Sequence, residues 1–123
     1  MQYLLLIHDD ERNWPSLGEE ERNSVVAEYL ALTESMRERG AFLGANRLAP
    51  VATASTVRVR DGDEVVTDGP FAETKEQLGG YYLIDVETLD EALEWAGRIP
   101  TARRGSVEVR PVAPIVVGSG EGR

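Results

Sequence analysis

The sequence predicts one α+β domain of the ferredoxin-like type, with the element order βαββαβ and a β-hairpin inserted after the second strand. Two segments have apolar residues at helical spacing, and short strand-like segments bounded by turn residues fill the rest of the chain. A length of 123 residues, with 41% apolar and 28% charged residues, suits a single domain with its own core. We expect this domain to span residues 1–113 and residues 114–123 to form a flexible tail.

The first strand and the first helix follow from the N-terminal third. Residues 2–8 (QYLLLIH) are apolar on both faces of a strand, so both faces have to be covered. From Ser16 the pattern becomes helical, because Ser16 to Glu19 resembles a capping box and acidic residues fill the first turn. Gly40 is placed to end this helix. Its expected buried face comprises Val25, Tyr29, Leu32 and Met36.

A second strand and a hairpin come next. Residues 41–48 predict the strand, and residues 49–55 a connecting loop. Residues 56–67 predict a hairpin whose turn is Asp61-Gly62, the residue pair that type I′ turns prefer. In this register Val57 lies opposite Val66, and the oppositely charged Arg60 and Asp63 also face each other.

The stretch of residues 67–82 (TDGPFAETKEQLGGYY) concentrates turn-forming and charged residues. Asp68 precedes a Gly-Pro turn that Phe71 can anchor in the core. Thr74 to Gln77 predicts a short capped helix. A Gly79-Gly80 pair then gives the sharp exit into the next strand, residues 80–86.

The last helix and strand complete the fold. Thr88 to Glu91 forms a second capping box, and Pro100 ends the helix that follows it. The expected buried face of this helix comprises Leu89, Ala92, Leu93, Ala96 and Ile99. Residues 106–112 alternate as a strand with one polar face. Because both helices lie on one face of the sheet, a second subunit is the simplest cover for the other face, and we predict a homodimer.

The run DGPFAETKEQLGGYYLIDV, followed by LDEALEWA and GSVEVRPV, resembles the YCII-related, DGPF-domain family from Met1 to about Val112. The resemblance implies a ferredoxin-like domain that dimerises sheet to sheet, as dimeric α+β barrels do, with a cleft at the sheet. It implies no particular reaction. Members of the broader group are often described as enzymes on the strength of a His/Asp pair, and DGPF members are often linked to extracytoplasmic-function sigma factors.

Asp68 and His8 are the candidate catalytic residues. A rigid turn would hold the Asp68 carboxylate at a strand end as a general base or hydrogen-bond acceptor, but aspartate before Gly-Pro also commonly caps its own backbone. His8, the only histidine, either shuttles a proton from a sheet face or is a hydrogen-bonded structural residue. Many DGPF members resemble this chain but carry Tyr at the position of His8. If His8 is dispensable in them, a His/Asp pair is not the mechanism that the family shares.

Further side chains near this turn or on the sheet are candidate ligand contacts. Lys75 offers a cation and Glu73 a second carboxylate, although solvated surface explains both equally well. Adjacent tyrosines point to opposite faces of a strand, so one is core and the other lines a cleft. Arg110 shares the polar face of the last strand with Glu108, where an intersubunit ion pair is the alternative. The predicted ligand-binding set is Phe71, Glu73, Lys75, Tyr81, Tyr82 and Arg110.

Composition excludes several classes of function. A net charge of −9 repels phosphate backbones, so we expect no direct nucleic-acid binding. The chain has no cysteine and no segment long enough for a membrane span or built like a signal peptide, which predicts a cytoplasmic protein. One histidine without cysteine does not make a zinc site, and Asp9 to Glu11 can hold Mg²⁺ with Asp68 only if the fold brings them together. We predict no metal and no cofactor.

Three functions stay open at this point. The first is a cofactor-free enzyme, an isomerase or hydrolase, that binds a small molecule in a cleft and uses Asp68 with His8 or a tyrosine for proton transfer. The second is a non-catalytic sensor or accessory protein that works with a partner such as a sigma factor. The third is a purely structural dimer module. The fold itself does not choose among them.

Overall fold

A four-stranded antiparallel sheet, two long helices on one of its faces and a separate hairpin make up residues 1–115, the part of the chain that this computed structural model describes. The strands are β1 (Gln2–Asp9), β2 (Phe42–Arg47), β3 (Ser55–Arg60), β4 (Asp63–Asp68), β5 (Gln77–Asp85) and β6 (Ser106–Pro111). The helices are α1 (Asn13–Ser16), α2 (Glu19–Glu38) and α3 (Leu89–Gly97), with short 3₁₀ turns at Val51–Thr53 and Pro100–Arg103. Residues 116–123, most of the predicted tail, lie outside the described residues.

The strand order of the large sheet is β2-β5-β1-β6, and every neighbouring pair is antiparallel. Without the hairpin this is the strand order of a βαββαβ ferredoxin-like domain, so the predicted fold is confirmed. The inserted strands β3 and β4 pair only with each other and form a second sheet. The inserted hairpin is therefore not part of the large sheet, against which the core packs.

The core lies between the large sheet and its two long helices. The residues Tyr3, Leu5 and Ile7 of β1 are buried under the helices. From the helical side α2 contributes Val25, Leu32 and Met36, and α3 contributes Ala92, Trp95 and Ala96. Full burial of an aliphatic side chain stabilises a fold by about 1.5–3 kcal/mol, so this layer holds the helices on the sheet. The opposite face of the sheet, which we call the open face, carries Leu4 and Leu6 and remains partly exposed.

The prediction for the C-terminal end of α2 is confirmed, and the prediction for its N-terminal end is wrong. At the C-terminal end Gly40 has a φ of +73°, its amide donates to Arg37 O, and the Ala41 amide donates to Met36 O, a Schellman motif as glycine at this position predicts. The predicted capping box at Ser16 is wrong. Gly18 is the N-cap and offers no side chain, while the Ser16 hydroxyl donates to Asn13 O within α1.

The hairpin prediction is confirmed residue by residue. Val57 faces Val66 and Arg60 faces Asp63, as expected. Asp61 and Gly62 both have positive φ, 53° and 81°, which is the signature of a type I′ turn.

Three predictions for the connection from β4 to β5 and for the start of β5 are wrong. The predicted helix at Thr74 to Gln77 is absent, because the Thr74 hydroxyl donates to Glu76 O and Gln77 already pairs with Asp9 in the sheet. Phe71 does not anchor the turn in the core, since 79% of it is exposed. β5 begins at Gln77 and not at Gly80, so Gly79 and Gly80 lie inside the strand instead of leading into it. A Cβ at Gly80 would stand 2.8 Å from Asn46 O, so glycine allows β2 to approach closely.

The capping box of α3 is confirmed, because the Thr88 hydroxyl accepts a hydrogen bond of 3.2 Å from the Glu91 amide. Its buried face differs from the prediction. Leu89 and Leu93 are each 49% exposed, and Trp95 is buried in their place. The helix ends at Gly97, and the buried Pro100 begins the 3₁₀ turn that leads to β6.

Candidate functional site

A cleft of about 520 Å³ opens between α2 and the end of the sheet at which β1 finishes. Its floor includes Ile7 of β1 and Tyr82 of β5, and α1 closes one side with Trp14. The wall from α2 consists of Val25, Val26, Tyr29 and Leu30. Its size and its apolar walls match those of ordinary small-molecule sites in proteins.

Two hydroxyl pairs fix the wall and the floor of this cleft. The Tyr29 hydroxyl lies 2.6 Å from Thr101 Oγ1, and the Tyr82 hydroxyl lies 2.7 Å from Thr33 Oγ1. Burial raises the pKa of both tyrosines above the usual value of 10.0, so both stay protonated at neutral pH. Neutral hydroxyls that are already paired make a rigid floor rather than a proton relay.

Three consecutive acids lie on the rim, and each is bonded within the chain. Asp9 Oδ1 accepts from the Asp10 amide at 2.9 Å and from Asn13 Nδ2 at 2.7 Å. Glu11 Oε2 accepts from the Val51 amide at 2.8 Å. Asp10 pairs with Arg12, and hydrogen bonds from Arg12 lower the pKa of this carboxyl to about 2. These carboxylates tie the loop after β1 to its neighbours.

Two arginines complete the rim. The guanidinium carbon of Arg47 lies 5.4 Å from the centre of the Trp14 ring, a cation–π contact at the mouth of the cleft. Arg104 lines the cleft from the opposite edge of the sheet, between the last 3₁₀ turn and β6, whereas Arg47 ends β2. Within residues 1–115 neither guanidinium forms an ion pair or a hydrogen bond. The described part of the chain therefore provides no acceptor for their side-chain donors.

His8 lies on the open face, away from this cleft. Its Nε2 is 3.4 Å from Glu108 Oε1, and this nitrogen is buried without a hydrogen-bond partner in the described structure, although 29% of the side chain is exposed. Arg110 Nε lies 3.8 Å from the other oxygen of Glu108. On the same face Asn46 Nδ2 donates to the Tyr81 hydroxyl at 2.8 Å. Tyr81 and Tyr82 thus lie on opposite faces, as the strand period requires.

The structure places Asp68 at the end of β4, exposed and in the separate hairpin sheet. The following turn is held through the main chain of Gly69: its amide donates to Ala54 O at 2.7 Å, and its carbonyl oxygen accepts from the Thr56 hydroxyl at 2.8 Å. Among residues 1–115 nothing donates a hydrogen bond to the Asp68 carboxylate, so an Asx-turn is absent. Glu73 and Lys75 are exposed in the loop that follows.

The predicted site residues therefore fall into three places. His8, Tyr81 and Arg110 share the open face, Tyr82 lies under α2, and the residues from Asp68 onward belong to the hairpin and its exit loop. No hydrogen bond or ion pair within the described chain joins His8 to Asp68. The acids of residues 9–11 are likewise not assembled with Asp68, and residues 1–115 contain no cluster of three or more carboxylates or histidines placed to hold a metal ion.

Sequence reasoning missed the cleft residues Trp14, Arg47 and Arg104. They come from three distant parts of the chain, and no local spacing connects them. A tryptophan before proline in an otherwise acidic loop was the one available signal, because such a residue seldom serves a loop alone.

Fold and cleft together define a small ferredoxin-like α+β domain with a ligand-sized space beneath its helical layer. The family model of the YCII-related domain matches residues 1–116, and the chain belongs to this family, as its DGPF stretch predicted. It is similar to an uncharacterized protein of Rhizobium meliloti (strain 1021), with 43% identity over 115 residues that cover 92% of this chain and 93% of the relative. None of the described helices has the length and apolar character needed to cross a membrane.

Proposed function

We propose that this chain is a cytoplasmic, homodimeric small-molecule-binding protein whose ligand lies in the cleft between α2 and the sheet. The single observation that supports this function is the cleft itself: about 520 Å³, apolar on its walls and polar at its rim. Its floor is set by the hydroxyl pairs of Tyr29 and Tyr82, so the ligand does not have to order it. A preformed site avoids part of the entropic cost of binding.

Ligand-induced stabilisation tests this proposal. A ligand that binds only the folded state raises the midpoint of thermal unfolding, and one present at 100 times its Kd adds about 2.7 kcal/mol. A library of small acids, amines, amides and sugars is screened with the wild type and with two matched variants. Val26→Trp fills the cleft, whereas Val57→Trp adds the same ring to the exposed hairpin. We expect a shift in the wild type and Val57→Trp and none in Val26→Trp.

Equal shifts in both variants would place the ligand elsewhere and refute the cleft as the binding site. Once a ligand is found, its consumption is followed over time with catalytic amounts of protein. Turnover assigns the chain to the enzyme class, while binding without turnover favours the sensor or accessory role that we considered from the sequence.

A second candidate function is supported by His8, whose buried Nε2 lacks a hydrogen-bond partner beside Glu108. An imidazole with a spare nitrogen can transfer a proton, and the predicted base Asp68 would have to come from another copy, since it belongs to the separate hairpin. In a homodimer the open face of one subunit would receive the hairpin of the other. The exposure of Phe71, three residues after Asp68, supports such a contact.

Mixed dimers test this second function. If a dimer forms, His8→Gln and Asp68→Asn subunits are each inactive in a proton-transfer assay with the identified ligand. A mixed dimer contains one intact site and one site that lacks both residues. It should therefore have about half of the activity of the wild-type dimer, which contains two intact sites. Absence of complementation, with both variants folded and dimeric, would show that the two residues do not form a shared site.

A further inference from the structure

We propose that the cleft selects a small organic anion with an apolar body, in the manner of a medium-chain or aromatic carboxylate, and that Arg47 and Arg104 bind its charged group. This inference rests on the proposed binding function of the cleft. It adds the chemical class of the ligand, which neither the fold nor the family specifies.

The apolar body of the ligand is set by the walls. Val26 and Leu30 line the cleft from α2, and both are largely exposed, with 45% and 67% of the residue accessible. Trp14 faces them from α1. Apolar side chains grouped around one concave space gain free energy when an apolar group displaces water from it. A fully polar ligand would make no apolar contacts with these side chains, so this gain in free energy would be lost.

The sign of the charged group follows from which rim residues still lack a partner. The three rim acids Asp9, Asp10 and Glu11 accept hydrogen bonds from the chain itself or pair with Arg12. The cleft is lined by three acids and two arginines, and one of these acids, Asp10, already has its charge paired with Arg12. A cation would compete with bonds that are already made.

The side chains of Arg47 and Arg104, unlike those of the three acids, lack hydrogen-bond and ion-pair partners in the described part of the chain. Both residues line the cleft, and neither side chain has a carboxylate or carbonyl acceptor among residues 1–115. Guanidinium groups bind carboxylates and phosphates through paired hydrogen bonds, which are stronger than bonds between neutral groups. The stacking of Arg47 on Trp14 holds one of these groups at the mouth while leaving its edge donors available.

The experiment compares ligands of one shape and different charge. Hexanoate, hexanamide, hexylamine and hexyl phosphate are titrated into the wild-type protein, and the fluorescence of Trp14 and calorimetry report binding. We expect the two anions to bind at least tenfold more tightly than the amide and the amine. Trp14→Phe removes the fluorescence response but not the heat of binding, which places the ligand beside this ring.

Arginine variants identify the groups that recognise the charge. Arg104→Gln and Arg47→Gln are each expected to weaken hexanoate binding by about tenfold or more and to leave hexanamide unaffected. Arg58→Gln on the exposed hairpin is the matched control, and Arg104→Lys should restore part of the affinity. If one of these arginines has only a structural role, its substitution would lower the unfolding midpoint without changing the ratio of anion affinity to amide affinity.

The outcomes separate this inference from the proposed function. If the amide or the amine binds as tightly as the anions, or the arginine variants keep the full preference, the anion class is wrong while the cleft remains a binding site. If none of the four probes and no member of the wider library binds, both proposals fail. Anion binding that survives Val26→Trp would locate the arginine site outside the cleft and overturn the inference.

Discussion

Gly105 packs directly against the main-chain carbonyl oxygen of His8, so closely that a Cβ atom at this position would overlap with that oxygen. The contact joins the start of β6 to the end of β1, where His8 pairs with Ser106. It also lies next to Asp9, whose carboxylate oxygen would be within 3.2 Å of the same Cβ. One glycine thus sets how the strand that carries Glu108 approaches the strand that carries His8.

We predict that Gly105→Ala destabilises the protein by about 2 kcal/mol or more, because the obstacle is backbone and not a flexible side chain. Urea unfolding at equilibrium measures the change. Gly44→Ala is the control, since glycine there is also in a strand of the large sheet and a Cβ meets nothing within 4 Å. It should change the free energy of unfolding by less than about 0.5 kcal/mol. Similar losses in both variants would contradict the steric explanation.

Tyr29 and Tyr82 predict a loss of stability at alkaline pH. Burial raises the pKa of Tyr29 and Tyr82 in the folded state, so the folded protein holds their protons more tightly than the unfolded chain. Their contribution is therefore complete below the unfolded pKa, near 10.0, and is lost as pH rises from there through the folded pKa. The absorbance of tyrosinate should show two tyrosines that ionise at a higher pH than an ordinary tyrosine. Tyr82→Phe removes one of them, whereas Tyr81→Phe, on the open face, leaves both; an unchanged titration in Tyr82→Phe would contradict the assignment.

The Asp10–Arg12 pair predicts the opposite dependence at acid pH. Hydrogen bonds from Arg12 lower the pKa of Asp10 from 3.8 to about 2 in the folded protein. The pair therefore stabilises the fold above pH 3.8, and this contribution disappears as pH falls toward 2. Carboxyl titration by NMR should give a midpoint near 2 in the wild type and a higher one in Arg12→Gln, which loses the guanidinium but keeps the hydrogen bond from the amide of residue 12. Arg37→Gln is a control that leaves Asp10 unchanged. An ordinary midpoint in the wild type would show that the pair does not form in solution.

Local chemistry explains the elements that the sequence predicted well. Asp61-Gly62 sets the hairpin register through two positive φ angles, Gly40 ends α2, and Thr88 begins α3, each by interactions within a few residues. Where a tertiary contact competes, local signals failed. Gln77 has a helix-capping neighbourhood, but it is drawn into the sheet opposite Asp9 because a ladder of backbone hydrogen bonds outweighs one short helical turn.

The candidate site was harder to predict for the same physical reason. His8 was identified by its rarity, and its contact with Glu108 depends on how β1 and β6 pair, which a strand period alone does not define. The cleft brings together Trp14, Arg47 and Arg104, whose spacing in the sequence contains no periodic signal. The turn at Asp68 was visible from its residue types, but its place in a sheet separate from the large one was not.

The open face of the sheet gives the last prediction. Leu4 and Leu6 remain partly exposed there, because both long helices pack on the other face, and a strand that is apolar on both sides needs a second cover. We expect the protein to be a dimer in sedimentation equilibrium and Leu6→Asp to shift it to the monomer, since a buried unpaired carboxylate at the interface is costly. Leu93→Asp places the same charge on exposed α3 and should leave the dimer intact. A wild type that sediments as a monomer at high concentration would contradict this prediction, and a Leu93→Asp monomer would move the interface to the helical layer.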